Sequence, residues 1–283
     1  MNSPVRQSCP SVPTWLNTVI AVQHIRKMRG GAQSHLMRCS NDRFYVVKFR
    51  NNPQHPRVLF NEMFASKLAQ RVGLPVAGSV IVEVTRQLIE RTPELNIQLV
   101  DCTVACQAGL QFGSEYVVNP LTGQCIDYLP VEMLKRVWGL SSFGLILALD
   151  KWTGNTDARQ AIFWRTKNRR TYNLAFIDQG YCFNGGDWTF TDTPFGGVYG
   201  RNEVYAHVRG WDSLLMGLAP IENLHSETIW SVAKQIPPEW YDSDFAALGK
   251  LVETLIERQT RIRPLIDAFR KSHRNPFPNW REE

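Results

Sequence analysis

The chain has no long apolar run. Its most apolar stretch, Phe143 to Leu149, is far shorter than the roughly 20 residues a bilayer-spanning helix needs. Met1 to Thr18 contains no continuous apolar segment, so no signal peptide is expected there. The six cysteines (Cys9, Cys39, Cys102, Cys106, Cys125, Cys182) form no paired framework. Cys102 and Cys106 are four apart, but no second pair of cysteines or histidines joins them at zinc spacing. These absences argue against a membrane-spanning protein, a disulfide-stapled domain and a zinc module. Free thiols in a reducing cytoplasm are the expectation. Repeats and low-complexity tracts are also missing, which sets solenoids and flexible linkers aside.

What is present is globular material. The 283 residues are 43% hydrophobic and 20% charged, with nine tryptophans and fourteen phenylalanines, enough for one large domain or two lobes. The net charge of +6 is moderate, and its positive residues concentrate in Arg165 to Arg170 and in Arg258 to Arg274. A solvated loop and a solvated helix face account for both. An anionic partner (tRNA, a nucleic-acid-binding protein or a membrane surface) stays open on charge alone.

The first third reads as β-rich. Val19 to Met28, His35 to Cys39 and Phe44 to Phe49 have strand composition, with Gly30-Gly31 between the first two and Ser40-Asn41-Asp42 between the others. A glycine pair serves as an ordinary hairpin turn or folds its bare amides over an anion. Lys48 sits inside the apolar run Tyr45 to Phe49, where an ammonium needs a partner or a route to the surface. Leu59, Phe60, Met63, Phe64 and Leu68 recur at helical spacing, Gly73 is a plausible cap, and Glu62 on that helix is the candidate partner of Lys48. Val76 to Val84 and Gln111 to Val117 read as further strands, the second running into a connector near Asn119-Pro120. Val131 to Leu149 reads as one or two buried helices broken at Gly139. Ile221 to Lys234 and Asp244 to Ile262 read as later helices, and Asn184 to Asn202 shows little periodicity.

Two acidic motifs flank one expected hairpin, with strands at Ala161 to Trp164 and Tyr172 to Ile177 and a turn from Arg165 to Thr171. Asp150 precedes Asn155 by five positions, as in a kinase catalytic loop. Asp178 stands in an Asp-x-Gly turn, as in the metal-binding turn of kinases. Phosphoryl transfer needs a carboxylate at the attacking hydroxyl, and an amide and a second carboxylate for magnesium. The hairpin is expected to bring Asn155 and Asp178 together.

With these motifs in this order, the chain resembles the HipA-like kinases, in particular their short group. The likeness is carried by Gly31-Ala-Gln33, Val47-Lys48-Phe49, Asn52-Pro-Gln-His-Pro, Asp150 with Asn155, and Phe176-Ile-Asp178, across roughly Val19 to Phe183. It implies an α+β, bilobal protein-kinase-like fold, with a β-rich N-lobe over residues 1–118 and a mainly helical C-lobe over 119–283. By the same resemblance ATP and Mg2+ are the cofactors. Gly30, Gly31, Ala32, Gln33 and Ser34 would cover the phosphates, and Lys48, paired with Glu62, would hold them. The connector residues Glu115, Tyr116 and Val117 would bind adenine through their backbone. Asp150 would orient or deprotonate the acceptor hydroxyl, and Asn155 and Asp178 would bind the metal, so losing Asp150 or Asp178 is expected to abolish turnover while sparing the fold.

The expected acceptor is Ser or Thr of a protein, a translation component by analogy with toxins that phosphorylate aminoacyl-tRNA synthetases. Departures from the toxins are also visible. The chain is too short for their extra N-terminal subdomain, and no residue demands an antitoxin partner, which stays open. Met28 stands where some toxins carry a self-phosphorylated serine, leaving Ser34 as the loop hydroxyl. Rival readings are a kinase for a small molecule or lipid headgroup, a nucleotide-binding pseudokinase acting as an interaction module, and an enzyme that transfers AMP.

Overall fold

The structure, a computed structural model, describes residues 18–123, 125–166 and 169–281. The signal-peptide reading of Met1 to Thr18 and Cys9 thus fall, apart from Thr18 itself, outside the described residues.

Three antiparallel strands open the fold: β1 (Thr18–Lys27), β2 (His35–Cys39) and β3 (Phe44–Lys48). After α1 (Arg57–Arg71) come β4 (Ser79–Val84), the single-turn α2 (Arg86–Glu90), a short ribbon of β5 (Asn96–Gln98) and β6 (Thr103–Ala105), and β7 (Gly109–Glu115). The barrel order is β1-β2-β3-β7-β4, closed where β1 runs parallel to β4 with Thr18 opposite Ile81 and Ile20 opposite Glu83. Inward residues Ala21, Met37, Tyr45, Val47, Val82 and Val84 fill it. Leu95, Ile97 and Cys106 from around the ribbon join the same cluster.

Helix α1 is buried almost all round, from Val58 through Ser66 and again at Leu68 and Ala69, as befits a helix packed between other layers. Gly73, at φ +77°, turns the chain out of it, with Leu74 N bonded to Ala69 O at 2.9 Å. The strand expected from Val76 begins instead at Ser79. Its first residues are taken by another partner, since Phe176 N donates to Pro75 O at 2.8 Å and Ala77 N to Phe176 O at 3.2 Å.

The remainder is mainly helical. It contains α3 (Val131–Leu134), α4 (Ser142–Thr153), the hairpin of β8 (Gln160–Trp164) and β9 (Asn173–Ile177), then α5 (Leu215–Glu222), α6 (Ser226–Ala233), α7 (Phe245–Glu257) and α8 (Ile262–Arg270). Gly139, at φ +74°, separates α3 from α4. The helix expected from Ile221 to Lys234 is two, because Asn223 bonds back to Ala219 O at 2.8 Å and closes α5. The helix expected from Asp244 to Ile262 is capped where Asp244 accepts from Ala247 N, and a 3-10 turn at Arg258–Arg261 divides it from α8. Asn184 to Asn202 holds no α-helix or strand. A single apolar cluster runs from Leu59, Phe60 and Phe64 of α1 through Phe112, Phe143, Trp152 and Phe176 to Trp240, Leu255 and Phe269. Among the described residues no helix is long and apolar enough to cross a membrane.

Candidate active site

β3, α1 and the turn after β9 meet at one point. Lys48 is the last residue of β3, and its side chain is only 10% exposed. Its Nζ contacts Glu62 Oε1 on α1 and lies 2.8 Å from Asp178 Oδ1. Glu62 is fixed from the other side, since Oε2 accepts from Gln179 N at 2.9 Å. Burial alone would lower the Lys48 pKa, but the two carboxylates outweigh it and raise it above the usual lysine range. Asp178, despite burial, is held below the usual carboxylate range by Lys48 and Arg159. Its backbone sits at φ +63°, a left-handed conformation that Asp tolerates better than most side chains and that aims the carboxylate back into the cleft.

Asp150 lies elsewhere. It belongs to the last turn of α4, not to a loop after it, and the side chain is fully buried. Arg159 holds it with two nitrogens, Nε to Oδ2 at 3.0 Å and a terminal nitrogen to Oδ1. Arg159, also fully buried, donates onward to Ile177 O at 2.8 Å, Asp178 O at 3.3 Å and Gln179 Oε1 at 2.6 Å. Asn155 is equally committed. Its Nδ2 donates to Asp150 Oδ1 at 2.9 Å, and its Oδ1 accepts from Asp157 N at 3.1 Å. No hydrogen bond joins the Asn155 and Asp178 side chains directly; Arg159 links the two motifs, holding Asp150 while donating to Asp178 O. The residue the hairpin register delivers to Asp178 is Gln160, paired with Ile177 and donating from Nε2 to Asp178 Oδ2 at 2.9 Å.

Asp157 is the exposed carboxylate of this loop. Its Oδ1 accepts from Ala158 N at 2.7 Å, and its backbone oxygen accepts from Gly197 N at 2.9 Å. Neither Asp157 nor Gln160 was singled out by motif spacing. Counting the hairpin register back from Asp178 would have found Gln160. Asp157 carried no signal beyond being a carboxylate two places after Asn155.

A cleft of about 170 Å³ opens over Lys48 and Asp178. Val46, Phe112, Ile162 and Ile177 give it apolar walls, and Gln160, Ser34 and Arg29 also line it. The HipA-like kinase family matches residues 21–193. The chain belongs to that family. No curated protein sequence matches it. Among solved structures, the Golgi casein kinase aligns with a TM-score of 0.52 at 14% identity, covering 91% of this chain and 74% of that one. The Helicobacter pylori proinflammatory kinase CtkA aligns at 0.48 and 12% identity, covering 89% and 99%. The fold is α+β and kinase-like, and the family makes this a phosphotransferase.

In this HipA-like kinase the turn from Gly30 to Ser34 closes on itself, Met28 N bonding Ser34 O at 2.7 Å with Gly30 at φ +119°. Ala32 and Ser34 are buried. Gln33 faces away from the cleft, since its amide is bonded to Gln98 at 2.6 and 2.8 Å. Glu115 N bonds Gly78 O and Tyr116 N bonds Phe44 O, so these amides serve the barrel while the two residues still line the cleft. Val117 instead borders a hollow of about 770 Å³ between the connector and the β8–β9 hairpin. Among the described residues that hollow has no acidic lining residue.

The basic C-terminal stretch is not a free charged face. Arg258 is 2% exposed, Arg263 pairs with Glu222 at 2.7 Å and Arg270 with Asp267 at 2.8 Å. Five cysteines in the described residues are free thiols.

Proposed function

We propose that the chain is an ATP- and magnesium-dependent kinase of two lobes, divided near residues 118 and 119, that phosphorylates Ser or Thr of a protein in the cytoplasm. The observation that supports this best is the buried Lys48 bridging Glu62 and Asp178 at the foot of an apolar-walled cleft. Adenine would lie between Val46, Phe112, Ile162 and Ile177. The cleft is smaller than the few hundred Å³ usual for such ligands, so the phosphates would extend out beneath Gly30 to Ser34. Lys48 would then exchange Asp178 for phosphate oxygen while keeping Glu62, and Asp178 would turn to the metal with the Gln160 amide oxygen beside it. A single carboxylate and an amide suit magnesium, which completes its shell with phosphate and water. When bound, magnesium would neutralise charge on the transferred phosphate.

In this reading Asp157, not Asp150, accepts the proton of the acceptor hydroxyl. A general base must touch its substrate, and Asp150 is sealed under Arg159. Asp150, Asn155 and Arg159 are positioning residues that set the loop carrying Asp157 against the turn carrying Asp178.

The test is transfer of label from γ-labelled ATP with magnesium to a lysate or a mixed Ser/Thr peptide pool. Asp157→Asn should lower transfer by roughly 100- to 10,000-fold while leaving the melting temperature and the Mg·ATP thermal shift in place. Asp178→Asn should lose the shift as well. A wild type with neither label nor shift would end the kinase reading; pyrophosphate as product would replace it with AMP transfer.

A further inference from the structure

The segment from Trp188 to Gly197 is unusual in having no regular structure yet being held at many points by the helical part. Two buried cations do most of this. Lys151, next to Asp150 on α4, donates to Pro194 O at 2.8 Å, Gly196 O at 2.7 Å and Thr193 O at 3.3 Å. Arg258 donates to Trp152 O at 2.9 Å and Lys151 O at 2.8 Å, so it caps the end of α4, and the same guanidinium reaches Asp192 Oδ1 at 2.7 Å. Arg261 takes the other Asp192 oxygen at 2.7 Å. Phe190 lies under Arg258, 4.4 Å from its guanidinium carbon, and Phe195 packs edge-on against Phe269.

The far end of the segment presses on the catalytic loop. A Cβ at Gly197 would lie 2.3 Å from Asp150 Cβ, and one at Gly196 would lie 2.6 Å from Asn155 O. Gly197 N bonds Asp157 O at 2.9 Å and Arg159 N bonds Val198 O at 3.2 Å, so the segment runs alongside Asp157 in strand-like pairing. The segment therefore forms a wall beside the exposed Asp157.

We propose that residues 188–197 form a permanently set acceptor platform, with Asp192 as its positioning residue, clamped by Arg258 and Arg261 where other kinases recruit arginines to a phosphate. Order in such segments is commonly created by phosphorylation through new arginine pairs. Here a genetically encoded carboxylate occupies the two arginines, and the flanking Thr189, Thr191 and Thr193 need carry no phosphate. The proposal rests on the kinase reading above and adds to it that the acceptor side is assembled before any nucleotide or modification arrives.

The experiment compares wild type, Asp192→Asn, Asp192→Glu and Lys151→Met by three readouts. These are hydrogen exchange of the Gly196 and Gly197 amides, the Mg·ATP thermal shift, and label transfer to a mixed Ser/Thr peptide pool before and after phosphatase treatment. Asp192→Asn and Lys151→Met should lose amide protection and raise the peptide KM, with kcat/KM falling roughly 100-fold, as misplacement by about 1 Å can do. The Mg·ATP shift should be unchanged, Asp192→Glu should restore most of the transfer, and phosphatase should change nothing in wild type. Retained protection in Asp192→Asn, loss of nucleotide binding together with transfer, or loss of activity on phosphatase treatment would each overturn the platform. A wild type that never transfers label fails the kinase reading itself, which is seen before any variant is compared.

Discussion

Two carboxylates seven positions apart behave oppositely. Asp150 is an internal carboxylate whose side-chain hydrogen bonds come from Arg159 and Asn155, whereas Asp157 is exposed. Removing one partner of a buried ion pair leaves an uncompensated charge and costs about 3–5 kcal/mol. Arg159→Met and Asp150→Ala should therefore each lose about that much stability in urea titrations, and Asp157→Asn should lose almost none. Asp150→Ala that melts with wild type would show the pair to be dispensable and would return Asp150 to candidacy for catalysis. The Asp150–Asn155 spacing led to this loop but could not tell its buried carboxylate, Asp150, from its exposed one, Asp157. Spacing does not record whether a residue lies inside the last helical turn, and α4 runs on to Thr153 before Gly154, at φ +58°, stops it.

Among the elements, β2 carries a titration that the barrel must withstand. His35 is wholly buried, with Nδ1 3.1 Å from His24 Nε2 and Nε2 3.2 Å from Asn96 O, where it fastens the β5–β6 ribbon to the barrel. Burial lowers its pKa from 6.5 to about 4. Below pH 6.5 the unfolded chain binds a proton that the folded one refuses until about pH 4, so stability falls with pH across that window and levels off beneath it. The full loss is on the order of 3 kcal/mol. Denaturant melts at pH 7 and pH 5 should differ in wild type and differ less in His35→Gln; equal slopes would remove His35 from the account. Strands β1, β2 and β3 were legible because each alternates or runs apolar between turn residues. The β5–β6 ribbon was not, since three-residue strands are too short to show a period, and α5 parted from α6 through one side-chain bond from Asn223.

At the scale of the molecule, the barrel and the helices share contacts that no local pattern announces. Asn61 on α1 donates to Gly180 O and Gly185 O at 2.8 Å and accepts from Trp188 Nε1 at 2.9 Å. Trp240 Nε1 reaches Leu110 O at 3.0 Å, and Arg57 reaches Asp244 at 3.3 Å. With one apolar cluster crossing from α1 to α8, the chain should unfold in a single calorimetric transition whose van't Hoff and calorimetric enthalpies agree. Two resolved transitions would mean that the two parts fold separately.

The closure of the barrel has a further consequence. Because β1 meets β4, every strand in it has neighbours on both sides among the described residues, with β1 joined to β4 over Thr18 to Ile20. An extended peptide zipping onto a sheet finds only short free edges here, such as those of the two-stranded β5–β6 ribbon. Partners of the amino-terminal barrel are expected to be read mainly through side chains and loops, and the same geometry gives misfolded neighbours little template to grow from.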